Sequence, residues 1–119
     1  MPGARLLVVD DEPALADLLK KYLERLGYEV DVYGSAEEAL PVFQADPQRY
    51  ALVLSDLTLP GVNGEEMIEQ MRQQSAGLHA IVSSGYPHQP RSRQTAFLLK
   101  PFVPKMLAEM IEKKLKQSG

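Results

Sequence analysis

The 119-residue chain contains no cysteine, which excludes disulfides and thiolate metal sites. No apolar stretch approaches the roughly 18 residues that a membrane-spanning helix needs. A basic excess is missing too. Thirteen Lys and Arg stand against 16 Asp and Glu, a formal net charge of −3, and the basic residues form no run. The electrostatic footprint of a nucleic-acid binder is therefore lacking. There is no repeat, no low-complexity tract and no internal linker, so the sequence predicts a single domain over 1–119. Met1 is followed almost at once by a charged, strand-like segment without the pattern of a signal peptide, and the expectation is a cytoplasmic protein. With 45% hydrophobic residues, a chain of this length has material for one core.

What is present is a series of short apolar runs, each ending on a polar residue. Arg5 to Val9 (RLLVV) reads as a strand buried on both faces. It ends in Asp10, Asp11 and Glu12, and Pro13 then suits the first turn of a helix. That helix carries Leu15, Leu18, Leu19, Tyr22, Leu23 and Leu26 at core-facing spacing, and Gly27 stops it. Tyr28 to Tyr33 alternates apolar and acidic residues, as an edge strand does. Ser35 with Glu38 fits a capping box for the next helix. Inside it, Pro41 predicts a bend or an interruption, because it removes a hydrogen bond and clashes with the preceding turn at about 3 kcal/mol. A third strand covers about Ala51 to Ser55 and leads to Asp56. Asn63 or Gly64 then caps a helix with Met67, Ile68 and Met71. Ala80 to Ser83 and Ala96 to Leu99 supply two more strands, and a last helix carries Leu107, Met110, Ile111 and Leu115.

Strands alternating with helices predict a parallel sheet covered on both faces. One crossover is too short for its helix. The stretch Gly85 to Thr95 holds Pro87, Pro90, Arg91 and Arg93 and no apolar stripe, so the fourth helix is expected to be short or absent. Ligand sites in such sheets lie beyond the carboxyl ends of the strands. Those ends carry Asp10 and Asp11, Asp56, Ser84 and Lys100. The second strand offers only Gly34 and Ser35, which places it at the edge and fits the order 2-1-3-4-5. Three clustered carboxylates repel one another, and a hard divalent cation relieves them. Oxygen-only ligands suit Mg²⁺. A carboxylate beside Mg²⁺ can attack a phosphoryl group and form an acyl phosphate on Asp56, with Ser84 and Lys100 binding phosphoryl oxygens.

The segments VVDDEP at 8–13, LSDLTLPGVNG at 54–64, SSGY at 83–86 and FLLKPF at 97–102 together resemble the receiver domain of bacterial two-component response regulators. The resemblance implies a doubly wound, flavodoxin-like α/β fold and a phosphorylation-dependent switch. It implies Asp56 as phosphoacceptor, Asp10 and Asp11 as the acidic pair for Mg²⁺, and Thr58 as a backbone-carbonyl ligand. Ser84 matches the switch hydroxyl, Lys100 the phosphate-binding lysine and Phe97 the switch aromatic. The Lys100–Pro101 bond resembles the family's cis peptide. The implied partner is a sensor histidine kinase or a histidine phosphotransfer protein. A kinase or effector domain elsewhere in a longer chain is compatible with this, and the SSGY segment with its short crossover is similar to receivers of hybrid sensor kinases. Direct nucleic-acid or membrane binding is not implied.

Each residue also has a plainer role open to it. Asp56 can cap a turn, Asp10 and Asp11 the first helix; Ser84 can be an ordinary strand-end serine and Lys100 a solvated loop lysine. Phe97 reads as core. Glu12 is assigned to the helix N-terminus rather than to metal. His79 and His88 are too isolated to suggest metal binding, catalysis or phosphorelay, and Arg91 and Arg93 read as a solvated loop. Two other functions compete. One is a hydrolase with Asp56 as nucleophile, although Thr58 stands where a second acid would be needed. The other is a receiver-like binding module that is not phosphorylated.

Overall fold

Five short runs of the sequence become strands: β1 (Arg5–Val9), β2 (Glu29–Tyr33), β3 (Leu52–Asp56), β4 (His79–Ser84) and β5 (Thr95–Leu99). All pair in parallel, in the order β2-β1-β3-β4-β5 expected from the strand ends. The structure is a computed structural model and describes residues 3–117. The two outermost positions at each end of the expected 1–119 unit lie outside the described residues. Helices α1 (Pro13–Arg25), α2 (Ala36–Ala45), α3 (Gly64–Arg72) and α4 (Pro104–Lys116) complete the fold.

Strand periodicity divides the interior in two, because successive side chains leave opposite faces of the sheet. Leu7, Val9, Val53, Ala80 and Val82 pack with Phe43 of α2 and with Met67, Ile68 and Met71 of α3. Leu6, Val8, Leu54, Ile81 and Leu98 pack with Leu19 and Leu23 of α1 and with Leu107, Ile111 and Leu115 of α4. Two helices thus cover each face. β2 sits at one edge, where Arg5 meets Asp31 at 3.1 Å and Glu29 at 2.9 Å. The stripe of five leucines and one tyrosine read along the first helix is wider than the buried face. Leu18 and Leu26 are exposed, while Leu19 and Leu23 sit at its centre.

The helix ends follow the residues that make them. Gly27 has φ of 99°; its N–H bonds the Glu24 carbonyl, and the Tyr28 N–H bonds that of Leu23. This pair satisfies the last carbonyls of α1 in the manner of a Schellman turn. Ser35 accepts the Glu38 N–H at 3.2 Å, and Asn63 rather than Gly64 caps α3, accepting the Glu66 N–H at 3.1 Å.

Pro41 does not interrupt α2, which runs unbroken from Ala36 to Ala45. The expectation of an interruption is corrected by burial. Ala36, Ala39 and Phe43 anchor the helix in the core, while Pro41 and Glu37, whose carbonyl loses its partner, face water. A solvent-side carbonyl can tilt outward and be hydrated.

The fourth crossover has no helix. Residues 85–94 leave β4 and enter β5 as bends and turns on either side of an irregular stretch at 87–90.

Candidate functional site

The carboxyl ends of four strands meet at one rim, and the rim is crowded with charge. Asp56 ends β3 and is 8% exposed. Asp10 follows β1 and is 7% exposed; its Oδ1 accepts the Glu12 N–H at 2.8 Å, which fixes its rotamer at the entrance to α1. Lys100 follows β5 and reaches across the rim. Its Nζ lies 2.8 Å from Oδ1 of Asp56, 3.4 Å from Oδ2 of Asp10 and 2.7 Å from Oε2 of Glu12. The Lys100–Pro101 peptide is cis.

Gly64 keeps this rim in place from below. Its N–H bonds the Leu57 carbonyl at 2.7 Å. A Cβ there would collide with the Asp56 backbone carbonyl oxygen and lie 2.6 Å from the Ser55 hydroxyl. Only a glycine lets the first turn of α3 approach the end of β3 this closely. The loop between them is pinned by a bridge between Thr58 and Asn63.

Burial is the largest influence on the Asp56 carboxyl. The Lys100 hydrogen bond opposes it and the Asp10 charge adds to it, so the group is pushed up to about 6. Burial also acts against the Lys100 ammonium, but hydrogen bonds to Asp56 and Glu12 prevail and hold its pKa above the ordinary value. The same ion pair therefore secures the lysine proton without bringing Asp56 into the usual carboxylate range.

An oxygen from each of Asp10, Asp11 and Asp56 lies within 4.8 Å of the others. Asp11 is exposed while the other two are buried. Three carboxylates against one ammonium leave excess negative charge, and an oxygen-only donor set of this kind suits Mg²⁺. The predicted residues Asp10, Asp11, Asp56 and Lys100 are thus brought together.

Ser84 ends β4 and is buried; its Oγ accepts the Tyr86 N–H at 3.2 Å. Phe97 is half-buried on β5 and packs against the core on the α2 and α3 face. Next to Ser84, the Ser83 hydroxyl is buried with no hydrogen-bond partner among the described residues.

A family model described as the response regulator receiver domain matches residues 6–112. The chain belongs to that family. This receiver domain is 31% identical to the response regulator protein FleR of Pseudomonas aeruginosa over 92% of its own length and 24% of the relative's. It is 32% identical to the DNA-binding response regulator MtrA of Mycolicibacterium smegmatis over 96% of its length and 51% of the relative's. The chain therefore spans a quarter to a half of the length of these relatives. Among solved structures, the receiver domain from the hybrid histidine kinase CckA superposes with a TM-score of 0.86 at 30% identity, covering 94% of this chain and 99% of that one. The response regulator TrrA of Thermotoga maritima, solved in complex with Mg²⁺ and BeF, gives 0.80 at 33% identity, with 93% and 98% covered. No helix among the described residues is long and apolar enough to cross a membrane.

Glu12 occupies the N-cap position of α1, as the sequence predicts; without a side-chain cap bond, its carboxylate pairs with Lys100. Two residues of the receiver depart from their sequence readings. His88 is not isolated, since its Nε2 lies 2.7 Å from Oε1 of Glu65. Arg91 is not merely solvated. Its N–H bonds Oε2 of Glu65 at 2.7 Å, and its side chain meets Glu65 at 3.6 Å and Glu69 at 3.4 Å. The sequence does not mark Glu65, because it sits in the first turn of α3, where an acid is ordinary. Here it is 4% exposed.

Proposed function

We propose that residues 1–119 form one phosphoacceptor domain in which Asp56 takes a phosphoryl group from a phosphohistidine on a sensor kinase or histidine phosphotransfer protein. The observation that carries this reading is the rim itself. A buried carboxylate with a raised pKa lies 2.8 Å from a fixed ammonium and beside two further acids. In the transfer, an Asp56 oxygen bonds phosphorus as the nitrogen–phosphorus bond breaks, and the imidazole leaves with the electron pair. Lys100 shifts its hydrogen bond from the Asp56 carboxylate to a phosphoryl oxygen, and the Ser84 hydroxyl donates to another. Asp10, Asp11, Asp56 and the Thr58 carbonyl are the residues that would hold Mg²⁺, which when bound offsets the charge of the acids and of the phosphoryl oxygens.

The chain is then a switch rather than an enzyme on outside substrates, promoting only its own phosphorylation and slow dephosphorylation. Movement of Ser84 toward the phosphoryl group frees space that Phe97 fills, so the phosphate selects between two packings. The domain acts in the cytoplasm and contacts no nucleic acid itself. An adjoining kinase or effector domain in a longer chain would receive the output.

Incubation with a small phosphodonor tests the acceptor. The wild type should gain the mass of one phosphoryl group in the presence of Mg²⁺ and gain none when a chelator is present before the donor is added. Asp56→Asn should gain none. Persistent uptake by the variant means that another residue is the acceptor.

A further inference from the structure

The crossover from β4 to β5 joins Ser84 at the end of one strand to Phe97 on the next, the two residues that respond in the proposed switch, yet it has no helix to hold it. Its hold comes from Glu65. That carboxylate projects from α3 and takes the His88 imidazole at 2.7 Å and the Arg91 N–H at 2.7 Å. Burial by itself would raise the Glu65 pKa; the Arg91 N–H and His88 outweigh it and hold the group below its ordinary value. A buried, ionised carboxylate with several donors is a firm anchor, since losing one partner strands a charge. His88 has a second neighbour. Its ring stands 6.3 Å from that of Phe97, tilted by 59°.

Four positions separate Ser84 from His88. Within them the Ser84 Oγ accepts the Tyr86 N–H. Ser84 has the strand parity of Val82, which packs on the α2 and α3 face, whereas Asp56 has the parity of Leu54 on the other face. Bringing the Ser84 hydroxyl to a phosphoryl group on Asp56 therefore requires the end of β4 to shift. That shift draws on Tyr86 and, through it, on His88. Inward repacking of Phe97 removes the other contact of His88.

We infer that Glu65 and His88 are positioning residues forming a latch that holds the crossover, and Ser84 with it, in the resting arrangement, so that phosphoryl loading of Asp56 must work against them. This rests on the proposed phosphoacceptor role. Because linkage is reciprocal, a latch that opposes loading is weakened by loading to the same extent.

Beryllofluoride with Mg²⁺ is the probe, titrated into the wild type, Glu65→Gln and His88→Ala, each first checked for a native circular-dichroism spectrum. Glu65→Gln keeps the shape of the side chain and removes its charge, whereas His88→Ala keeps the charged carboxylate on the Arg91 N–H and removes the imidazole, so the two do not share a failure mode. Both variants should bind the probe about fivefold more tightly than the wild type, the low end of measured couplings between sites. In the wild type, the His88 ring proton resonances should move on saturation toward those of a released imidazole. In Glu65→Gln they should start near that position and move little. A variant that was merely damaged would bind more weakly. Unchanged or weaker binding in both variants, with the wild type binding normally, overturns the latch alone. No binding by the wild type removes the phosphoacceptor reading and the latch together.

Discussion

At Asp56, burial together with the Asp10 charge outweighs the Lys100 ammonium, and the carboxyl titrates near 6 instead of its usual 3.8. A carboxyl raised in the folded state favours the protein while it is protonated. That contribution is complete below about 4 and is lost as pH rises through about 6. Asp56→Asn carries no such charge, so the two proteins diverge with pH. In metal-free buffer, urea unfolding should show the wild type losing about 2 kcal/mol relative to Asp56→Asn between pH 4 and 7, somewhat less than the full linkage value because the rim opens to water on one side. A difference that stays constant with pH would show that the charge is not costly. The residues of this rim were legible in the sequence because each ends a short run of apolar residues. Glu12, 88 positions from Lys100, was not. Nothing local distinguishes an acid that caps a helix from one that turns to a distant lysine.

The element that sets the site is the first turn of α3, and its critical atom is one that is missing. A methyl group at residue 64 would meet the Asp56 carbonyl, so helix and strand end would have to part. Gly64→Ala should lower the unfolding free energy by about 1–3 kcal/mol, as overpacking does. It should also reduce phosphoryl uptake, because Asp56 is carried on the displaced backbone. Gly85→Ala is the matched control, since nothing lies within 4 Å of a Cβ there; equal losses from the two would remove the argument from close approach. Elements whose stripe or cap is local were readable from sequence: α2 from Ser35 with Glu38, and α4 from Leu107, Ile111 and Leu115. The continuity of α2 through Pro41 was not. A proline's cost depends on which side of the helix loses its carbonyl partner, and sequence alone does not say which side faces water. The pairing of Glu65 with His88 and Arg91 was equally hidden, as it joins elements 23 to 26 positions apart.

Across the molecule, the missing fourth helix has a consequence for how the chain finds its fold. Pairing of two parallel strands must first close the loop between them, at an entropy cost that rises with loop length. Leu6 pairs with Leu52 across β1 and β3, while Ala80 pairs with Thr95 across β4 and β5. The second closure is the cheaper by about 1 kcal/mol, and it is the shortest of the four in the sheet. Contacts that close early dominate the folding transition state. Truncations at Val82 and Leu98 should then slow folding in near proportion to the stability they remove, whereas Val30→Ala on β2 should mostly speed unfolding. Chevron measurements that give all three the same φ would show that the short crossover has no such influence. On this account the stretch that gave up its helix, and is held down by Glu65 once folded, is also where the sheet begins.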